Sequence, residues 1–448
     1  MKAETDLRAY EVVEVALRDP PPGELRGFGI DSPKRGGMGD SYTLQVDGWV
    51  VGRDSPAEMV ELTYNDRVVR RTPVRGTRAD VAADLGVGSE TDCVFHAAVG
   101  LVGLRLETTL GVRVVLEGGA RIEAGSIAVR RAPLRTRYEP RLAPLLVTSL
   151  GRSGTTLLMK MLASHPEIVV LRRFPYESAP AKYWLHMLKV LTEPANLVDS
   201  AHPETFFSNF WWVGSNPFND ELVQRHAPLE RSVGRAYVER LAVFCQQSID
   251  DWYTTLARYQ DQPAAVYFAE KHLWPNYLPV LTWELYPRTK EVFLVRDFRD
   301  MAVSAMGFDE RRGGESRPPG TTDEEYLRGP LRKMALDLRQ SWRTRGDRGH
   351  LLRYEDLIRD GAASLRALFA YLEVDASQPT VDAVLEASAG ETLALPGSSQ
   401  EDSEVAVHRA SADPEDSIGR WRRERDESFR TLVGEAFAEP LREFGYET

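Results

Sequence analysis

The sequence predicts an α/β domain, a parallel sheet flanked by helices, preceded by a small all-β sandwich. Three observations predict it. Between Tyr42 and Arg131 the apolar residues fall in short runs at strand spacing, separated by turn residues. From Leu145 onward, apolar runs that read as buried strands alternate with helical segments. Between the two, several Pro and Arg residues read as a linker. The boundaries are an N-terminal extension over 1–40, the sandwich over 41–131, the linker over 132–142 and the α/β domain over 143–448.

In the extension, Ala3 to Leu17 mixes acidic and apolar residues, Pro20-Pro21-Pro22-Gly23 breaks the chain, and Gly36-Gly37-Met38-Gly39 breaks it again. Tyr42 to Val46 and Gly48 to Val51 open the sandwich. Val60 to Tyr64 and Arg67 to Val69 flank Asn65-Asp66, a hairpin signal. Val94–Val99, Leu104–Thr108, Val112–Leu116 and Ile127–Val129 follow, for about seven strands in all. In the second domain Leu145–Thr148, Val292–Val295 and His350–Tyr354 are strands followed by helices.

A length of 448 residues is ample for these parts. With 42% hydrophobic and 27% charged residues the chain is ordinary globular protein, which excludes disorder, collagen and coiled coil. No apolar run approaches the roughly 20 residues of a membrane helix. The first residues lack a signal-peptide pattern, so a cytoplasmic protein without membrane insertion is expected. Two cysteines, Cys93 and Cys245, exclude a disulfide scaffold and a cysteine metal cluster. A net charge of −11 argues against nucleic acid as partner.

The strongest motif is Thr148-Ser149-Leu150-Gly151-Arg152-Ser153-Gly154-Thr155-Thr156-Leu157-Leu158, read as strand, glycine turn and helix. Such a turn aims backbone N–H groups and a helix N-terminus at one spot, which suits a phosphate. Gly151 and Gly154 let the backbone approach closely, and Thr155 and Thr156 add hydroxyls. A nucleoside-triphosphate loop would carry Lys before the Thr. Here the cation, Arg152, sits inside the turn, and no apolar strand ends in a lone Asp for Mg²⁺, so phosphate binding without a metal is expected. Downstream, Val292–Val295 delivers Arg296 at a strand end, and Ser304 follows two helical turns later. Arg as a fork and Ser as a single donor suit a second phosphate.

Taken in order, these segments resemble the sulfotransferases that use 3′-phosphoadenosine 5′-phosphosulfate (PAPS), bacterial members included. Gly151 to Leu158 resembles their 5′-phosphosulfate loop and Arg296 to Ser304 their 3′-phosphate motif. Leu352-Arg353-Tyr354-Glu355-Asp356-Leu357 and Ile418-Gly419-Arg420-Trp421-Arg422 resemble two later segments of the family. The resemblance spans residues 143–448. It implies a P-loop-like fold, PAPS as co-substrate with no metal, and cofactor contacts from Gly151 to Thr156, Arg296, Ser304, Tyr354, Arg409, Gly419, Arg420 and Trp421. Arg152 stands where many cytosolic members carry Lys, beside the leaving oxygen. The sandwich resembles small domains that accompany bacterial glycosyltransferases and sulfotransferases.

Two family patterns compete for the base. Glu177, in Phe174-Pro175-Tyr176-Glu177, matches the base of the heparan and protein-tyrosine members. His272, in Glu270-Lys271-His272-Leu273-Trp274-Pro275, matches that of the cytosolic members. The reading prefers Glu177, with His272 and Lys271 contacting acceptor or sulfate. The acceptor region is expected between Ala179 and Tyr259. There a helix over Ala181–Leu191 carries Lys182, Trp184 and His186, and an aromatic stretch holds Trp211. Lys182, Trp184, Lys271 and Trp211 are thus candidate contacts for a small-molecule, glycolipid or saccharide acceptor. Asp309–Glu325 and Gly397–Ser417 read as polar covers. Competing readings are a kinase-like phosphotransferase using the same turn and a non-catalytic glycan- or nucleotide-binding protein.

Overall fold

The computed structural model describes residues 8–194, 234–273, 277–311, 317, 320–389 and 414–447. The chain divides into two compact units, Met1–Tyr138 with Tyr183–Gln246, and Glu139–Lys182 with Gln247–Thr448.

The first unit contains the sandwich. One antiparallel sheet has the order β3-β1-β9-β8-β5-β6, with β1 Tyr10–Leu17, β3 Met38–Gly39, β5 Ala57–Tyr64, β6 Arg67–Pro73, β8 Glu107–Leu116 and β9 Arg121–Arg131. The other has the order β2-β4-β7, with β2 Leu25–Ser32, β4 Thr43–Gly52 and β7 Val94–Gly100. Alternate residues from both sheets, such as Val60, Leu62, Val112 and Ile127 against Leu44, Val46, Phe95 and Val99, share one core. The β5–β6 hairpin turns at Asn65 and Asp66, both at positive φ (51° and 61°), as the right-handed strand twist favours. The segment read as an extension supplies β1, β2 and β3. Its signal is weak because β1 fully buries only Val12 along its length. In the stretch counted with this unit, Lys189 and Glu193 form a buried ion pair, and Glu193 accepts the Gly100 N–H at 3.2 Å.

The second unit is built on a parallel sheet of order β11-β12-β10-β13-β14, with β10 Ala143–Ser149, β11 Ile168–Val169, β12 Tyr267–Leu273, β13 Lys290–Val295 and β14 Gly349–Arg353. Every residue of β10 is buried, which is why the strand reads as an unbroken apolar run. Helices cover both faces. On one, α2 (Thr155–Ser164; α1 is the short helix Ala79–Leu85 of the first unit) joins two later helices, Gly361–Leu372 and Gln378–Ala389, over Leu145, Val147, Val292 and Leu294. On the other, helices over Phe298–Arg311, Arg332–Arg345 and Glu427–Glu443 pack on Phe293 and Val295. The chain starts in the middle of the sheet and adds strands to both sides. The carboxyl end of β10 is therefore the switch point, where open α/β sheets bind their ligands. Among the described residues no helix is long and apolar enough to cross a membrane.

A buried carboxylate supports this sheet. Glu291 of β13 is fully buried and takes both donors of Arg345 (2.9 and 3.1 Å), the Thr148 hydroxyl (2.5 Å) and the Trp283 N–H (3.3 Å). Arg345→Met should leave that charge without its cation and cost about 3–5 kcal/mol. Urea unfolding measures it, and a loss below 1 kcal/mol would show that Glu291 does not depend on the pair.

Candidate active site

The glycine turn forms as its residues dictate. Leu150 is fully buried and holds the loop to the core. Arg152 (φ 68°) and Gly154 (φ 89°) are both left-handed, which turns successive N–H groups inward ahead of α2. At Gly154 a side chain is excluded twice over: the φ is positive, and a Cβ would run into the ring of Tyr354.

The second motif meets this loop. Arg296, at the end of β13, donates to the Arg152 carbonyl at 3.0 Å and to the Ser417 carbonyl. Its guanidinium lies 4.9 Å from the centre of the Tyr354 ring, and its buried Nε has no hydrogen-bond partner among the described residues. Arg152 Nε in turn donates to Ser304 Oγ at 3.2 Å, and its guanidinium lies over Phe308. Burial, with Arg311, Arg296 and Arg420 nearby, lowers Arg152 to about 10. Four arginines thus share one neighbourhood, with Arg296 buried and Arg152 and Arg420 partly so. The Tyr354 hydroxyl is 3.0 Å from Ser417 Oγ, so this tyrosine braces the loop and the C-terminal segment. Gly419 is left-handed (φ 72°), Arg420 pairs with Glu424, and Trp421 stacks on Arg299 at 4.0 Å.

On the other side of the loop stands Lys271 of β12. Its ammonium donates to Thr156 Oγ1 (3.3 Å) and the Pro175 carbonyl (2.5 Å), and lies 3.8 Å from the exposed Glu177. Lys182 Nζ donates to the Lys271 carbonyl at 3.3 Å. Buried Glu270 fixes the start of α3 (Pro180–Thr192) by accepting the Ala181 and Lys182 N–H groups and the Tyr253 hydroxyl. Burial pushes Lys182 down and Glu270 up.

The structure therefore gathers Arg152, Thr156, Lys271, Lys182 and Glu177 on one side, and Arg152, Arg296, Ser304 and Tyr354 on the other. Neighbours on a strand alternate faces, so His272 points away from Lys271. It is 1% exposed, and its Nδ1 lacks a hydrogen-bond partner among the described residues. Burial, with Lys182 and Arg345, holds it well below the usual histidine range and keeps it neutral. Trp184 belongs to the first unit, where its ring meets the edge of Phe244. Trp211 and Arg409 lie outside the described residues, as does most of the second expected cover; the first is described at 309–311, 317 and 320–325, where one helix ends at Arg311 and another begins at Asp323. The sequence reading missed Ser417 and Glu355. Ser417 stands two residues before the recognised Gly419, and Glu355, inside the Tyr354 motif, accepts the Asp297 N–H at 2.9 Å. Among the described residues no His, Cys, Asp and Glu cluster could hold a metal ion.

A glycine turn at the switch point of a parallel sheet, met by Arg296 from the end of the next strand, defines a P-loop-like α/β fold. The family comparison sharpens this. The profile described as "Sulfotransferase family" matches residues 144–378, and the chain belongs to that family. No curated protein matches the chain. Similar solved structures include mouse sulfotransferase SULT7A1 complexed with PAP, at 15% identity, 68% of this chain, 86% of that chain and TM-score 0.37. Another is the sulfotransferase domain from the curacin biosynthetic pathway, at 18% identity, 69% and 99% coverage and TM-score 0.36. A third is sulfotransferase STF9 from Mycobacterium avium, at 14% identity, 69% and 78% coverage and TM-score 0.32. At these values they carry no detail over to this chain.

Lys271 is lowered to about 8, by burial first and by Arg152, against the opposing pull of Glu177. It is charged below that pH and neutral above it, where an ordinary lysine stays charged. Carbon NMR of its Cε should titrate near 8, and Glu177→Gln should move the midpoint down. An upward move would show that Glu177 does not stabilise the ammonium.

Proposed function

We propose that this chain transfers a sulfuryl group from PAPS to a hydroxyl, or an amine, of a small-molecule, glycolipid or saccharide acceptor. The observation that carries the reading is the meeting of the two motifs, Arg152 on Ser304 and Arg296 on the Arg152 carbonyl, with the buried Arg296 Nε without a hydrogen-bond partner among the described residues. One phosphate would satisfy few of these cations. A molecule with a phosphosulfate at one end and a phosphate at the other suits them all.

PAPS, when bound, supplies an activated sulfuryl group and a phosphate leaving group. The protein supplies position and charge. N–H groups of Gly151 to Thr156 hold the phosphosulfate. Arg152 and Lys271 neutralise the oxygen that becomes anionic as the bond breaks. Arg296 and Ser304 hold the 3′-phosphate, and Tyr354 keeps Arg296 aimed by packing rather than by its hydroxyl, which Ser417 occupies. Gly419, Arg420 and Trp421 close the same end. No step requires a metal. Lys182 faces the acceptor side beside Glu177.

Glu177 takes the acceptor proton. It is solvent-accessible, beside Lys271, and open to an incoming hydroxyl. His272 is sealed from solvent on the opposite strand face, which favours a positioning role over proton transfer.

Two measurements test this. By calorimetry the protein should bind 3′-phosphoadenosine 5′-phosphate (PAP) about ten- to a hundredfold more tightly than AMP, the worth of one charge-assisted contact. Equal affinities would remove the second phosphate from the site. Glu177→Gln should cut kcat by roughly 10²–10⁴-fold with PAP affinity intact, while His272→Asn costs less and acts through acceptor KM. The reverse result would make His272 the base.

A further inference from the structure

The C-terminal segment Ser417–Trp421 is fastened to the arginine end of the site by Asp300, which lies between Arg296 and Ser304 but has no role in the reading above. Helix α6, by its place after α4 (Arg235–Tyr259) and α5 (Tyr277–Leu285), spans Phe298–Arg311. Its first turn carries Asp300, four residues after Arg296 and four before Ser304. On a helix that spacing puts Asp300 and Ser304 on one face. Asp300 is 1% exposed. One carboxylate oxygen accepts the Gly419 N–H at 2.6 Å and the other accepts the Trp421 N–H at 3.0 Å.

A buried carboxylate must be paired or richly hydrogen-bonded. Among the described residues Asp300 makes no side-chain hydrogen bond; its donors are these two backbone groups, with the Arg296 and Arg420 charges nearby and the Asp297 carboxylate opposing. Burial pushes Asp300 up, and the two N–H bonds hold it down. The left-handed turn at Gly419 lets both N–H groups converge on one carboxylate. The same short segment is fixed at Ser417, whose carbonyl takes Arg296 and whose hydroxyl meets Tyr354. Arg299 then stacks on Trp421.

We propose that Asp300 is a positioning residue that holds the Gly419–Trp421 backbone against α6 and thereby fixes Ser417 and, through it, the aim of Arg296. It touches no reacting atom. Its consequence for ligand rests on the PAPS reading: Asp300 sets the selectivity for the nucleotide bearing a 3′-phosphate. Its consequence for the chain does not rest on that reading: without Asp300 the Arg420–Arg425 run is released.

Asp300→Asn retains shape and one acceptor but turns an NH₂ group toward a backbone N–H. In the full-length, nucleotide-free protein, trypsin should cut within Arg420–Arg425 at least several-fold faster than in wild type. PAP affinity should fall roughly three- to tenfold, the factor that one or two hydrogen bonds are worth, while AMP affinity stays within about twofold. A general loss of stability would weaken both nucleotides alike. If Asp300→Asn fails to fold, Gly419→Ala attacks the same turn through its positive φ and should give the same pattern. Unchanged trypsin cleavage overturns the fastening. Faster cleavage with PAP affinity unchanged overturns the link to Arg296. Wild-type protein that does not distinguish PAP from AMP would overturn the PAPS reading, and the cleavage rates would still decide the fastening.

Discussion

The Arg296 guanidinium is the point on which the second unit's site depends. It joins three stretches far apart in sequence: the glycine turn through the Arg152 carbonyl, the C-terminal segment through the Ser417 carbonyl, and the β14 end through the Tyr354 ring. An arginine suits this because its fork is planar and stays charged when buried. Lysine offers one ammonium and would give that charge up more readily.

Around that fork the unit concentrates positive charge in a chain that is acidic overall. Arg152 and Lys271 both lose proton affinity to burial. The acids nearby are turned to structural tasks. Glu355 holds the Asp297 N–H and the Tyr446 hydroxyl, Glu270 holds the start of α3, and Glu291 holds Arg345. The cations around the loop are held mainly by neutral acceptors: Arg152 by Ser304, Arg296 by the Arg152 and Ser417 carbonyls, and Lys271 by Thr156 and the Pro175 carbonyl. This division of labour among carboxylates lets an acidic protein present a basic site.

The sandwich follows a simpler rule. Its two sheets bury alternate residues in a core of their own, and its outer residues are paired charges such as Arg113 with Glu123. The stretch 183–246 counts with it, so the residues read from sequence as one acceptor region are divided between two units.

Much of the site was legible in the sequence because glycine turns, strand-end arginines and helix spacing are local properties. Gly151–Thr156, Arg296 and Ser304 could be named before any fold was known, and the parallel sheet followed from the buried runs at β10 and β13. Strand β1 could not, since a strand that buries one side chain leaves almost no pattern. Nor could the relation of Lys271 to His272: both stand in one motif, and only the register of β12 decides which of the two faces Glu177. The long-range bonds were likewise invisible. Asp300 meets Gly419 across more than a hundred residues, and Ser417 meets Arg296 across as many, because folding brings their backbones together and no local spacing encodes it. The sequence alone determined which chemical groups this protein has and how each strand and helix would form; the tertiary structure decided which of those groups share a face, because burial and strand alternation act only once the sheet is assembled.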